Sequence, residues 1–344
     1  MAEVRRFAIR PFELHLRHTF RLSRGASDSR RSALVEIEDD EGRVGRGEAA
    51  PIARYRQDQA SSITALEAML PRLADLRRFA GTARRLAVPG QSAAEAALDM
   101  ALWDLAGQRL GAPVYELLGL DPRPLPVTSF TIAMDTPERL VAKVEEAGAF
   151  EVLKVKLGSA EDRRLLEAVR GATDRPLRVD ANEGWAFEEA LGNLEWLAEM
   201  GVELVEQPLR EGELDATREL ARQSPLPLFA DEDVHRAEDI PRLAGVYHGI
   251  NIKLAKCGGP SEALAMIQVA RAHGLQVMLG CMIESSLGIT AAAQLAPLVD
   301  FLDLDGHLLV TDDPFVGVGF ASGRLVLPEA PGLGVRPRAE AEGR

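Results

Sequence analysis

Eight short apolar runs recur along the last two-thirds of this 344-residue chain. Their ends fall near Phe130, Lys156, Asp180, Glu206, Asp231, Lys253, Gly280 and Asp303, at intervals of 26, 24, 26, 25, 22, 27 and 23 residues. That spacing fits a strand, a loop and a helix, the repeat of parallel βα units. A parallel sheet needs helices over its outer faces. Eight such units therefore predict a closed TIM-type barrel, an α/β fold, over residues 121–315. An open doubly wound sheet is the structural rival. No Gly-rich phosphate loop follows the first run to support it.

Residues 1–120 read differently. Ala33 to Glu38 alternates apolar and charged residues, and Asp39-Asp40-Glu41-Gly42 makes a turn into a second strand from Val44 to Ala49. Phe20 to Ser29 reads as a polar loop. Helical spacing runs from about Ser61 to Phe79 and from Ser92 to Leu110, with Ser92 expected as a cap and Gly111 as the stop. Strands followed by helices predict a small α+β domain. Pro122, Pro124 and Pro126 mark its end. The segment 316–344 is rich in Gly and Pro, and its strand-like piece, Arg324-Leu325-Val326-Leu327, is expected to return to the first domain.

The formal charge of −13 argues against nucleic acid or an anionic membrane as partner. Two cysteines, Cys257 and Cys281, give no disulfide framework. No apolar run is long enough to span a bilayer, and the first residues lack the apolar stretch of a signal peptide. The expectation is a soluble cytoplasmic protein.

The chain contains five lysines, at 143, 154, 156, 253 and 256, in an otherwise arginine-rich set of cations. Arg cannot release its proton in a protein, whereas Lys can. A lysine kept at the end of an apolar run is therefore a candidate base. In Lys154-Val155-Lys156 the period-two geometry of a strand points both ammonium groups to one side. The second cluster is Lys253-Leu254-Ala255-Lys256. Lys253 lies in line with its strand, whereas Lys256 falls beside the Gly258-Gly259 turn.

The rim at the C-terminal ends of barrel strands holds the active site of such folds. Here it presents Asp180, Glu206 and Asp231 on three neighbouring strands. Three converging carboxylates repel one another unless a cation intervenes. With oxygen ligands alone, Mg²⁺ is favoured over Zn²⁺. Singly, each of these residues has a plainer role: an Asp at a strand end is most often a helix cap, and a Lys there is usually on the surface. It is the joint pattern at matched spacing that points to a site.

Taken in order, Lys154-Val155-Lys156, Asp180-Ala181-Asn182, Glu206-Gln207-Pro208, Asp231-Glu232 and Lys253 to Gly259 resemble the enolase superfamily, in its muconate-lactonizing subgroup. The resemblance covers nearly the whole chain. It implies a modified (β/α)₇β barrel with an N-terminal α+β capping domain, and Mg²⁺ held by Asp180, Glu206 and Asp231. It also implies removal of a proton α to a carboxylate. The pair Asp303-Leu304-Asp305 and the run Gly280 to Gly288 are similar to the corresponding segments of the dipeptide epimerases. That likeness implies that Asp303 and Asp305 receive the ammonium of a dipeptide. It further implies that Arg24 pairs with an acidic second residue. Homo-oligomers are common among such relatives.

The implied reaction inverts the α-carbon of an L,L-dipeptide's C-terminal residue by two-base proton transfer between Lys156 and Lys253, through an enediolate. Lys154 donates to the developing charge, and both bases are expected to have lowered pKa values. The loop at 20–29 and the stretch Ile52 to Gln57 are expected to close as lids. Within the same framework the alternatives are an o-succinylbenzoate synthase, an N-succinylamino acid racemase or a cycloisomerase. Outside it, the alternative is a non-catalytic ligand-binding barrel.

Overall fold

The computed structural model describes residues 4–22, 25–73, 79–321 and 323–342. Three antiparallel strands open the chain: β1 (Val4–Leu22), β2 (Gly25–Asp39) and β3 (Val44–Ala49), hydrogen-bonded in that order. Of the residues expected as a polar loop, 20–22 belong to β1 and 25–29 to β2, where Phe20 pairs with Ser27 and Leu22 with Gly25, while Ser23 and Arg24 lie outside the described residues. Polar side chains hid this strand because both faces near the hairpin end meet solvent or the cavity rather than a core.

One face of the sheet is apolar. Ala33, Val35, Ile37 and Ala49 are buried against the helices Gln59–Met69 and Ser92–Leu110. The approach is close enough to exclude side chains from β3. A Cβ on Gly45 would sit 2.2 Å from the Ala101 carbonyl oxygen, and one on Gly47 would sit 1.9 Å from that of Ala97. The alanine run of the second helix presents the flat surface that such contact needs.

The first helix is shorter than its spacing predicted, ending at Met69 before a single tighter turn over Leu70–Arg72. Pro71 has no N–H to continue the ladder. Its start is a capping box, with Asp58 accepting from the Ser61 N–H at 2.7 Å and the Ser61 hydroxyl accepting from the Asp58 N–H at 3.0 Å. The second helix begins at Ser92, and the cap is not Ser92 itself. Gln57 Oε1 accepts from the Ala93 N–H at 3.0 Å. The Ser92 hydroxyl is thereby free to donate to the Ala255 carbonyl at 3.0 Å, which ties this helix to the barrel beside Lys256. The helix ends at Gly111, where φ is +72°.

The eight expected strands are all present: β4 (Ser129–Ile132), β5 (Val152–Lys156), β6 (Leu177–Asp180), β7 (Val202–Glu206), β8 (Leu228–Ala230), β9 (Gly249–Lys253), β10 (Gln276–Gly280) and β11 (Phe301–Asp303). They run parallel in sequence order. A parallel bridge between Thr128 and Leu302 joins the two edges, so the sheet closes on itself with helices outside. Inside, the lower layer is Leu204, Phe229, Met278 and Phe301. The Arg178 guanidinium lies 5.0 Å from the Phe301 ring centre.

The tail touches both the barrel and the helix Ser92–Leu110. The hairpin of Gly319–Ala321 and Arg324–Val326 packs at the barrel, with Phe320 stacked 4.2 Å from Phe150. The following turn reaches the helix Ser92–Leu110, where the Leu333 N–H donates to Asp104 at 2.8 Å. Among the described residues no helix is long and apolar enough to cross a membrane.

Candidate active site

Strand register brings the charged residues to one level. Lys156 pairs with Asp180, Asp180 with Glu206, Lys253 with Gly280, and Gly280 with Asp303. In a ring of eight strands the fourth neighbour lies diametrically opposite. Lys156 on β5 and Lys253 on β9 therefore face each other across the mouth. Asp180, Glu206 and Asp231 fill the arc between them, and Asp303 lies on the other arc. All six are buried.

The ammonium groups and carboxylates interlock. Lys154 Nζ lies 2.6 Å from Glu206 Oε2, 2.7 Å from Asp303 Oδ2 and 3.4 Å from Asp180 Oδ2. Lys156 Nζ lies 2.6 Å from Asp180 Oδ2, and Lys253 Nζ 2.6 Å from Asp231 Oδ2. Lys256 donates to both the carbonyl and the carboxylate of Asp231. Asn251 Nδ2 donates to Glu206 Oε1 at 2.9 Å, and Ser129 to Asp303 at 2.7 Å. The sequence did not single out Lys256, Asn251 or Ser129 for these contacts. Only the inward alternation of β9 and β4 could have signalled the last two.

Burial and neighbours set the protonation. Burial disfavours ionised Asp180, Asp231 and Asp303, but the adjacent lysines outweigh it and hold all three below the usual carboxylate range. Glu206 is pushed up by burial and then by the Asp180 charge. Asp305 is pushed up to about 7 by burial and by Asp303. Of Lys154 and Lys253, only Lys253, as one of the two bases, was expected to be lowered. Burial does act downward on both, yet the carboxylates in direct contact outweigh it and hold them above the ordinary lysine value. Such contact keeps a lysine protonated for as long as its carboxylate is not engaged elsewhere.

A divalent ion fits the acidic triad. One oxygen from each of Asp180, Glu206 and Asp231 lies within 4.8 Å of the others, and all three residues are buried. The donor set is oxygen only, suited to a hard cation. The buried oxygens Asn182 Oδ1 and Asn251 Oδ1 find no hydrogen-bond partner among the described residues. Asn182 is next but one to Asp180, and its N–H donates to Asp180 at 2.9 Å. Orphaned acceptors beside a carboxylate cluster match the needs of a hydrated ion, whose waters donate.

A cavity of about 400 Å³ opens over these groups. Lys156, Lys253, Asp231, Asp303 and Asp305 line its floor. Phe20, Leu22 and Arg30 from the hairpin, with Ile52 to Tyr55 from the segment after β3, line its roof. Both expected lid segments therefore border the cavity. Arg54 fastens the second to the barrel, 2.7 Å from Glu183 and 2.9 Å from Glu211. Leu14, beneath the hairpin, packs on Ile283 and Val310. Asp305 accepts from the Thr131 N–H at 2.6 Å. Arg24 lies outside the described residues.

The floor depends on close packing from the cap. Gly258 and Gly259 follow Lys256 with φ of +104° and +111°. A Cβ there would sit 2.7 Å from the Glu95 carboxyl carbon and 2.6 Å from the Asp99 Cβ, respectively. The turn thus lies flat on the helix Ser92–Leu110 and holds the Lys253–Lys256 segment from behind.

Known proteins are similar to this chain in sequence and in fold. The chain is 43% identical over 331 residues to an L-Ala-D/L-Glu epimerase of Bacteroides thetaiotaomicron, covering 94% of this chain and 86% of that protein. It is 42% identical to an L-Ala-D/L-amino acid epimerase of Pedosphaera parvula, covering 96% and 98%. The crystal structure of the dipeptide epimerase from Enterococcus faecalis V583, complexed with Mg and L-Leu-L-Tyr, superposes with a TM-score of 0.91. It is 33% identical, and the match covers 97% of this chain and 99% of that one. Residues 5–119 match the mandelate racemase / muconate lactonizing enzyme N-terminal domain, and residues 136–341 the enolase C-terminal domain-like family. With both domains matched, the chain belongs to the mandelate racemase / muconate lactonizing enzyme family of the enolase superfamily.

Proposed function

We propose that this protein is a Mg²⁺-dependent dipeptide epimerase, an isomerase that inverts the α-carbon of the C-terminal residue of an L,L-dipeptide. The observation that carries this reading is the opposition of Lys156 and Lys253 across the acidic triad, with the Asp303/Asp305 pair on the remaining arc. Its curated relatives are named as epimerases of such dipeptides.

Asp180, Glu206 and Asp231 would hold the ion. Bound there, Mg²⁺ supplies positive charge to a substrate carboxylate and lowers the cost of the second negative charge that α-deprotonation creates. Lys154, beside Glu206 and Asp303, donates to the same developing charge. One of Lys156 and Lys253 stands neutral and takes the α-proton at Nζ. The other stands protonated and returns a proton to the opposite face, which inverts the centre. Asp303 and Asp305 bind the substrate ammonium and fix which carbon lies between the lysines. Arg54 and the hairpin keep water from the cavity while the carbanionic centre exists.

The setting belongs to the same proposal. A cytoplasmic homo-oligomer acting on small peptides, without nucleic acid, is in keeping with the charge of −13 and two free cysteines.

The test is α-proton exchange. L,L-Dipeptides incubated in D₂O with enzyme and Mg²⁺ should gain one mass unit and a second diastereomer. Conversion of the o-succinylbenzoate precursor, with every L,L-dipeptide left untouched, would replace this reading by the synthase.

A further inference from the structure

Just beyond β6 and β7 the backbone turns left-handed at residues that are not glycine: Asn182, Glu183 and Gln207, with φ of +45°, +65° and +38°. Such conformations are sparsely populated for residues with a Cβ and persist only where the surroundings impose them. Gln207 directly follows the triad member Glu206 and is fully buried. It reaches the segments of the other two members. Its carbonyl accepts from the Glu183 N–H at 2.9 Å, shortly after Asp180, and its N–H donates to the Phe229 carbonyl at 2.9 Å, shortly before Asp231. Its side-chain Oε1 accepts from the Asp231 N–H itself at 2.9 Å and from the Asp233 N–H at 3.3 Å. The other end of the amide is anchored. Nε2 donates to Asp233 Oδ2 at 2.8 Å and to the Leu209 carbonyl at 3.1 Å, and lies 3.0 Å from the Tyr247 hydroxyl. That hydroxyl donates to Asp233 Oδ2 at 2.6 Å, while Asp233 Oδ1 accepts from the Gly212 N–H at 2.8 Å. Oε1 thus meets donors and Nε2 meets acceptors, which fixes one orientation of the amide. Asp233 and Tyr247 are buried as well, so a partner lost from this network is not replaced by water.

We infer that Gln207, held by Asp233 and Tyr247, is a positioning residue for the metal centre: it sets where Asp231 stands relative to Glu206 and Asp180. The inference rests on the reading of the acidic triad as a Mg²⁺ site. Three carboxylates this close repel one another before an ion arrives. Mg²⁺ in turn demands near-ideal octahedral geometry. A frame that fixes the spacing in advance removes the cost of gathering the ligands. The lysines offset charge, but each ends a long stem that must move when it exchanges a proton. A neutral amide bonded to main-chain N–H groups fixes position and adds no charge. The residue type follows from this. A carboxylate at 207 would face the Asp233 carboxylate, and an apolar side chain would leave the Asp231 N–H and Asp233 short of partners. Asp231 is then held on both sides of its main chain, by Gln207 at the N–H and by Lys256 at the carbonyl.

The experiment titrates Mg²⁺ calorimetrically into the metal-free full chain and records melting curves of the same samples in chelator. Gln207→Met keeps the side-chain volume and loses both ends of the amide. Its Mg²⁺ affinity should fall by about 10–100-fold, the range for groups that orient metal ligands, and kcat should largely recover at saturating Mg²⁺. Tyr247→Phe removes only the outer donor and should lower the affinity several-fold. The double variant should bind Mg²⁺ little worse than Gln207→Met alone, because both changes act through one amide. A purely structural role would lower the melting temperature of the metal-free protein and leave Mg²⁺ affinity as in the wild type; that result in Gln207→Met overturns the inference. Should Gln207→Met not fold, Tyr247→Phe carries the test, and an unchanged affinity there overturns the inference equally. A wild type that binds no Mg²⁺ would remove the metal reading itself, and the inference with it.

Discussion

Lys256 grips Asp231 twice, through its main-chain carbonyl and its side-chain carboxylate. Asp231 Oδ2 is left for Lys253, so two lysines from one short segment share a single acid. The turn behind them is pressed onto the cap helix at Gly258 and Gly259. The position of this triad member is thereby set by the fold and not by the ion alone.

That relationship predicts a positioning role for Lys256. Lys256→Met keeps the stem volume but leaves the Asp231 carbonyl and one carboxylate oxygen without a donor. Mg²⁺ affinity should fall by about 10–100-fold, the range seen when groups that orient metal ligands are lost. At saturating Mg²⁺ much of kcat should return. Calorimetric Mg²⁺ titration checks this, and an unchanged Mg²⁺ affinity would show that Lys256 only fills space.

The opposed bases predict unequal deficits. Lys156→Ala and Lys253→Ala should each lower epimerisation by at least about 10³-fold, since one proton transfer then lacks its group. Solvent exchange should survive from only one epimer in each variant, and from opposite epimers in the two. NMR in D₂O, starting from L,L- and L,D-dipeptide separately, distinguishes them. Exchange from both epimers in either variant would refute a two-base division of labour.

These two predictions differ in how readable their residues were. Lys156, Asp180, Glu206, Asp231, Lys253 and Asp303 were legible because each ends an apolar run at a fixed interval, and the rim of a parallel barrel collects such ends. Lys256 was not, because it lies beyond its strand in a one-turn helix, Leu254–Cys257, whose direction only the packing fixes. The β1–β2 extension past Phe20 was missed because Ser, Arg and Asp dominate it and strand alternation needs a buried face to be visible. The cap supplied by Gln57 to Ala93 spans 36 residues, and no local signature encodes it.

The Asp303/Asp305 pair predicts a pH-dependent KM. Asp305, held at about 7 by burial and by Asp303, is neutral at lower pH and ionised above. As pH falls through 7 the pair loses a negative charge and its hold on an ammonium weakens. KM for a dipeptide should rise several-fold from pH 8 to pH 6. In Asp305→Asn this component should vanish, with KM high throughout. A pH-independent KM in the wild type over this range would remove Asp305 from ammonium binding.

Stability should carry a separate signature at the junction of cap and barrel. Glu48 on β3 accepts from the Ser285 N–H at 3.1 Å and from its hydroxyl. Glu284 accepts from the Met282 N–H at 2.9 Å. Burial raises Glu48 to about 7, and burial together with the Glu48 charge raises Glu284 to about 8. Both groups ionise near 4.5 when unfolded, so from there upward the folded state holds protons that the unfolded state has lost. Stability from this source is full below 4.5 and declines as pH rises through 7 to 8. Glu284→Gln retains an acceptor for Met282 and cannot ionise. Its melting temperature should fall less between pH 6 and pH 9 than that of the wild type, and its advantage should be greatest at pH 9. Parallel melting curves for the two proteins across this range would mean that the carboxyls are solvated in the folded state and that the junction is looser than its packing indicates.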